Sequence, residues 1–294
     1  MKVRMIVNPV AGRGRGRMLA GRLEDALDRR GIAVDVVYTG ARGDAERAAA
    51  APGFDAILAV GGDGTANECL NGMVDSEAAL GVVSAGTANV VARQIRAGKD
   101  LEGLADLVKD NRTLPIDLGL WNGRRFIMGA GAGLDAAVVT AVQSSRQGPS
   151  SIWHWVVPSL RTILSYPVPR VKVTVDGNVL SECGEYAIVG NCIYSAGIFP
   201  ATPLAKIDDG LLDVVVVEGV SAWRMACLAV GVWRPGFIEW PYIRYAQGES
   251  ITFEPVEGHE AAPLQVDGDM AGQIPVAFTV APKAVRIFSP LALA

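Results

Sequence analysis

Residues 54–70 read FDAILAVGGDGTANECL: an apolar run of strand length, three glycines set around one Asp and one Thr, and then a helix-compatible stretch. A buried parallel strand ending at Val60, followed by a helix starting at about Ala66, brings unpaired backbone N–H groups and the positive end of a helix dipole to the carboxyl end of a strand. That geometry suits a phosphate. Glycine lets the backbone approach an anion closely and adopt positive φ. The plainer alternative is a tight turn with Thr65 as the helix N-cap. Even in a chain with 34 glycines, a chance GGDGT is expected on the order of once in a thousand such sequences.

The strand-then-helix grammar extends to both sides of this loop. KVRMIVN (2–8), AVDVVYT (33–39) and LGVVSA (80–85) read as strands. Helical patterns fall at about 15–30, 44–50 and 66–73, and on either side of Lys99-Asp100 up to about Asp110. Alternation of this kind predicts a parallel sheet covered by helices. After Pro115 the pattern changes to short strand-like runs with turn punctuation: RRFIMGA (124–130), VKVTVDGNVL (171–180), GEYAIVGN (184–191), LLDVVVVEG (211–219), SITFEP (250–255), PLQVDGD (263–269), IPVAFTV (274–280) and AVRIFSP (284–290). Three helices are expected among them, one after Asp135, one over 152–164 and one over 222–232. The predicted fold is an α/β N-terminal domain with a parallel sheet, residues 1–115, followed by a C-terminal antiparallel β-sandwich domain with a few helices, residues 116–294. The extreme C-terminus is left able to pack back on the first domain.

The 294 residues are 50% hydrophobic and 20% charged, enough to bury a full core. With 27 Lys and Arg against 31 Asp and Glu, the net charge of -4 provides no field to draw in nucleic acid. Cys69, Cys183, Cys192 and Cys227 form no close pair, and with only His154 and His259 there is no zinc-type spacing. A reduced, cytoplasmic chain is expected. The apolar window Met225–Trp233 falls short of the roughly 20 residues a membrane span needs, so any membrane contact is expected to be peripheral, on the inner face. Oligomeric state leaves no mark on the sequence.

Two further glycine-rich stretches, GRGRGR (12–17) and GAGAG (129–133), miss the dinucleotide spacing GxGxxG. The first follows a strand's carboxyl end, where its arginines suit either phosphate or solvent.

Taken together, VNPVAGRGRG (7–16), GGDGTANE (61–68), GTAN (86–89), PIDLG (115–119), GLDAAVV (133–139), DDGLLDV (208–214) and VDGD (266–269) resemble, in order and spacing, the diacylglycerol kinase catalytic-domain family of bacterial lipid kinases and sphingosine kinases. The resemblance covers essentially the whole chain. NAD kinases share GGDGT and a related two-domain plan, so the lipid-kinase choice rests on NP, GTAN and DDGLLDV. The resemblance implies an ATP- and Mg²⁺-dependent lipid kinase that acts on diacylglycerol, a sphingoid base or a phosphatidylglycerol-like lipid at a membrane surface. An NAD kinase and a nonenzymatic nucleotide-binding regulator are the alternatives.

By the same resemblance, nucleotide contacts fall on Asn8, Pro9, Arg13, Thr39, Gly61, Gly62, Asp63, Gly64, Thr65, Ala66, Asn67, Glu68 and Thr87. Phosphoryl transfer needs positioning, charge neutralisation and a carboxylate for the acceptor's proton. Asp269 stands where the family usually carries a glutamate proton acceptor and is assigned as base; Asp63 is assigned to organise Mg-ATP. VDGD also reads as a plain type I′ hairpin, as does VDGN at 175–178. The implied structural Mg²⁺ site takes the Asp209 carboxylate with the Lys206 and Leu211 carbonyls, all oxygen donors suited to a hard cation. Val90 replaces an Asp common in relatives. Asp117 and Asp135 are cleft candidates, the first with a link to Arg13, or else ordinary strand-end and helix-cap acids. Trp153, Trp155, Trp223, Trp233 and Trp240 suit either core packing or an apolar lip at a membrane interface.

Overall fold

Strands β1 (Val3–Val7), β2 (Val34–Tyr38), β3 (Ala56–Gly61) and β4 (Ala79–Ser84) pair in parallel in the order β2-β1-β3-β4. The computed structural model describes residues 1–144, 169–195 and 199–291; the helix expected over 152–164, with Trp153 and Trp155, lies outside them. Leu58 and Val60 of β3 face α1 (Ala11–Asp28) and α5 (Leu101–Lys109), whereas Ile57 and Ala59 face α2 (Asp44–Ala49), α3 (Asp63–Gly72) and α4 (Val90–Gln94). Burial on both faces explains why β3 is apolar throughout instead of alternating. Gly12, Arg13 and Gly14 interrupt α1 at positive φ, so its regular turns begin at about Arg15, as expected.

The other half packs two sheets face to face. Strand β5 (Thr113–Trp121) leads into β6 (Arg124–Phe126), β7 (Gly129–Gly133) and helix α6 (Leu134–Ser144). Beyond lie β8 (Val171–Val175), β9 (Asn178–Gly184), β10 (Tyr186–Gly190), β11 (Leu212–Val217), helix α7 (Ala222–Gly231), β12 (Ile243–Gly248), β13 (Ser250–Pro255), β14 (Pro263–Val266), β15 (Asp269–Gln273) and β16 (Val276–Phe288). A six-stranded antiparallel sheet, β12-β11-β10-β7-β14-β15, lies against the strands around β13. Phe126, Val171, Val173, Phe253 and Phe278 from one sheet meet Ala187, Val189, Leu212, Val214 and Leu264 from the other, which is the expected sandwich core. GAGAG is β7, a central strand, and not a ligand loop. Strands β5, β12 and β15 escaped the sequence reading.

The runs 274–280 and 284–290, expected as two strands, form the single thirteen-residue strand β16. It pairs antiparallel with β5 along one edge; on its other edge it pairs with β13 at its start and, in parallel, with β4 at Arg286 and Ile287. Both halves therefore share one ten-stranded sheet. The β5 pairing breaks register between Ala281 and Val285, where Lys283 adopts a φ of 50°. Asp117, buried opposite this bulge, accepts Lys283 N–H through Oδ1 and Gly210 N–H through Oδ2, both at 2.7 Å. Its carboxylate is committed there, so the expected link to Arg13 does not form.

Trp223 and Trp233 are exposed, whereas Trp240 packs into a small cluster with Val215, Val217 and Phe237. Among the described residues no helix is long and apolar enough to cross a membrane.

Ile287 is fully buried at the point where β16 sits between β4 and β5. Ile287→Ala is expected to cost about 2–5 kcal/mol and to lower the melting of both halves together. Calorimetry should give one transition; two separated transitions would contradict a shared sheet.

Candidate functional site

Three glycine-containing loops meet at the carboxyl ends of β1, β3 and β4. Asn8 N–H donates to Val60 O at 2.9 Å, and Thr39, closing β2, donates its N–H to Val7 O at 2.9 Å. Ala85 N–H and Gly86 N–H both donate to Gly61 O, at 2.8 and 3.2 Å. A Cβ on Gly86 would lie 2.7 Å from Gly62 Cα, and one on Gly12 only 2.0 Å from Ala85 O. Glycine is needed at 86 for close backbone approach, and at 12 for both approach and positive φ. Asn8, Pro9, Arg13, Thr39, the run 61–68 and Thr87 are thus gathered along one edge of the parallel sheet.

Inside GGDGT the backbone differs from expectation. Helix α3 begins at Asp63, with Gly62 as N-cap in extended conformation, rather than at Ala66. None of Gly61, Gly62 and Gly64 has positive φ. Gly61 is required for another reason: Thr65, buried in the first turn, folds back so that a Cβ on Gly61 would lie 2.3 Å from its Oγ1. Thr65 therefore packs inward and is not the cap. A Cβ on Gly64 would meet nothing within 4 Å, which leaves that face of the loop open.

The Asp63 carboxylate turns toward the start of α4, with Oδ1 accepting Val91 N–H at 3.1 Å. Burial pushes its pKa up, while the amides of Val91, Val90 and Asn89 pull it down. Val90 is buried. Asp63 thus ties GGDGT to GTAN, and Asn89 closes the latter by hydrogen bonds in both directions with Gly86.

Across a cleft of about 400 Å³, Gly64, Asn67 and Glu68 face Val266, Asp267 and Asp269 of the β14–β15 hairpin, with Arg42 and Arg124 also lining it. Asp267 and Gly268 take φ of 50° and 84°, the I′ turn expected of VDGD. VDGN folds alike, with Asp176 and Gly177 at 45° and 79°. The two turns differ in what their aspartates hold. Asp176 accepts the amides of Glu249 and Ser250, binding one strand end to another.

Asp267 accepts Met128 and Gly129 N–H through Oδ1, and Ile127 N–H and Asn67 Nδ2–H through Oδ2, all at 2.5–3.0 Å. This turn is thereby fastened to α3 of the opposite half. Burial pushes Asp267 up to about 6 against the pull of these donors. Asp269 is exposed and paired at 2.8 Å with Arg42, which comes from the loop before α2. Asp63 does not line the cleft that Asp269 faces. Sequence reasoning passed over Asp267, although VDGD contains it, and Arg42, which carried no signal.

Two family models match the chain, the diacylglycerol kinase catalytic domain over residues 2–121 and the YegS C-terminal NAD kinase beta sandwich-like domain over 129–289. This chain belongs to the diacylglycerol kinase catalytic-domain family. Proteins named diacylglycerol kinase from Staphylococcus epidermidis and Staphylococcus haemolyticus are each 27% identical to it, over 98% of this chain and 92% and 88% of theirs. A solved Bacillus anthracis structure, titled a diacylglycerol kinase, has the same fold with a TM-score of 0.75 at 24% identity, covering 100% of this chain and 98% of that one.

A kinase of this family uses ATP and, as a rule, a divalent cation. Among the described residues no group of three or more His, Cys, Asp or Glu side chains forms a metal cage. Lys206, Asp209 and Leu211 lie apart from the cleft lining, in the loop before β11 that Asp117 anchors through Gly210. Asp209 is exposed and its Oδ1 accepts Leu211 N–H at 3.1 Å. A carboxylate and two backbone carbonyls would be an oxygen-only donor set, the chemistry a hard cation takes.

Asp267→Asn would aim an amide NH₂ at donors that need an acceptor, and should cost about 3 kcal/mol in a urea titration at pH 7. The pH dependence has a definite sign. A native pKa raised from 3.8 to about 6 means the folded state keeps a proton that the unfolded chain releases. Asp267 therefore makes a contribution that lowers stability as pH rises from about 4 to 6. The variant should lose that slope.

Proposed function

We propose that this chain transfers the γ-phosphate of ATP to a hydroxyl of a lipid such as diacylglycerol, a sphingoid base or a phosphatidylglycerol-like acceptor, in a Mg²⁺-dependent reaction. One observation carries the reading: the convergent glycine loops lie beside a cleft whose far wall is the hairpin bearing Asp269. Loop amides and the start of α3 offer donors for the phosphates of ATP. Asn8, Pro9, Arg13, Thr39, Gly62–Glu68 and Thr87 are the proposed contacts. Asp63 organises the nucleotide end by holding two of these loops together. Mg²⁺, when bound, would offset phosphate charge, with a second, structural ion held by Asp209 and the carbonyls of Lys206 and Leu211.

Asp269 takes the acceptor's proton. Its carboxylate is exposed on the cleft, where an acceptor hydroxyl can reach it, and is ion-paired with Arg42. The exposed Trp223, Val230 and Trp233, with Arg234 beside them, support delivery of the acceptor from a membrane surface that the protein touches peripherally.

Purified protein with labelled ATP should phosphorylate one or more lipids in mixed micelles and leave NAD untouched. Labelled NAD with unlabelled lipids would overturn the reading. Asp269→Asn should lower kcat by about 10²–10⁴-fold with little change in KM for ATP. Asp63→Asn should abolish transfer with the fold kept, as judged by circular dichroism and melting temperature.

A further inference from the structure

Beneath the Asp269 hairpin lies a polar chain that the reading above does not use. Asp135, in the first turn of α6, is buried, and its Oδ2 accepts Gln265 Nε2–H at 2.8 Å. The Tyr186 hydroxyl lies near enough to the same carboxylate to pull its pKa down. A Cβ at position 131 would lie 1.9 Å from Asp135 Oδ2, so Gly131 of β7 is what admits the carboxylate here. Gln265, also buried, uses its other end, with Oε1 accepting Gly268 N–H at 2.9 Å. Gly268 immediately precedes Asp269.

The orientation of the Gln265 amide is not arbitrary. A backbone N–H can only donate, and an ionised carboxylate can only accept. With Asp135 on one side and Gly268 N–H on the other, only one of the two amide orientations satisfies both partners. Burial raises the Asp135 carboxyl to about 6, which still leaves it ionised at neutral pH. The hairpin has need of such a clamp. Between the turn and a register shift after Leu264, only two residue pairs, Val266 with Asp269 and Gln265 with Met270, connect its strands. Asp267 pins the first half of the turn, and beyond it so short a ladder leaves the approach to Asp269 dependent on the Gly268 contact.

We propose that Asp135 and Gln265 are positioning residues for phosphoryl transfer: the Asp135 carboxylate sets the Gln265 amide, whose oxygen clamps Gly268 N–H and so fixes the reach of Asp269 into the cleft. This rests on the reading of Asp269 as base. Each partner acts through another residue and touches no reacting atom.

The test is a polarity swap in the full chain. Gln265→Glu sets two carboxylates side by side and is expected to lower kcat about 10²-fold, the cost of misplacing a catalytic group by about 1 Å, with KM for ATP within about twofold. Adding Asp135→Asn restores every bond with the charge moved. The amide now at position 135 donates to the carboxylate now at position 265, while that carboxylate accepts Gly268 N–H. The double variant should regain kcat to within about threefold of the parent. Exchange of the Gly268 amide should accelerate about tenfold in Gln265→Glu and slow again in the double variant, a readout that needs no acceptor lipid.

Parental kcat and Gly268 exchange in Gln265→Glu would overturn the proposal. So would a double variant no better than the single, or one that fails to fold. Asp269→Asn, assayed alongside, separates the two claims. If it stays active, the base assignment falls whatever the swap does; if it is inactive while Gln265→Glu is normal, only the clamp falls.

Discussion

Strand β16 is paired along both edges, and the position of everything else follows from that constraint. Once its amides and carbonyls are buried they must find partners, because an unpaired buried backbone group costs about as much as a lost hydrogen bond. Residues 276–281 find them on β13 and β5, and residues 285–288 on β4 and β5. A strand satisfied this way cannot let the two halves swing apart without exposing its ladder. The cleft between α3 and the β14–β15 hairpin is therefore framed by this continuous sheet and by the six-stranded sheet of the hairpin packed against it, and not by a flexible linker. The bulge at Lys283, where β16 passes from one half to the other, is held by the buried Asp117, which also anchors the loop before β11.

Asp117 is one of several carboxylates used for the same physical purpose. Asp63 meets the first amides of α4, Asp267 gathers three amides of the β6–β7 connection, and Asp176 holds the start of β13. A carboxylate offers several acceptor sites on two oxygens, so it can collect amides that converge at a turn and that no strand or helix supplies. These bonds are charge-assisted and offset part of the desolvation that accompanies burial. For Asp267 the offset is incomplete, which is why its pKa lies at about 6. The amides of residues 127–129 and the Asn67 side chain keep it ionised at neutral pH, and through them it joins the two walls of the cleft.

The glycine loops also show how one composition serves different ends. In GGDGT the glycines allow Thr65 and the 85–86 backbone to come close, without any positive φ. In GAGAG, Gly131 makes room for a carboxylate and Gly129 for the carbonyl of Val189, inside a sheet. Spacing alone could not distinguish these uses: Thr65 and Asp135 each stand four residues after the glycine that admits them, one inside a helix turn and one reaching back from α6 onto a strand, while the 85–86 backbone and the Val189 carbonyl approach from far along the chain.

Much of this protein was written in local pattern. Apolar β3 followed by glycines, the hairpin turns VDGN and VDGD, the helices at Asp44 and Leu101, and the change of grammar after Pro115 all depend on interactions within a few residues. They gave the fold class and the loops of the candidate site. Strand β5 was hidden by Pro115, which is tolerated because β6 covers that edge of β5 only from Gly119 onward. The joining of two predicted strands into β16 was hidden by Pro282 and Lys283, a break in pattern that Asp117 repairs from across the sheet. The roles of Asp267, Asp135 and Gln265, and the pairing of Arg42 with Asp269, belong to contacts spanning more than a hundred residues. The sequence by itself determined the elements and the motifs, because strand and helix periodicity and turn chemistry are short-range. Only the tertiary structure decided which carboxylates hold the framework and which faces the cleft, because a buried acid's role is set by the donors that the folded chain brings to it.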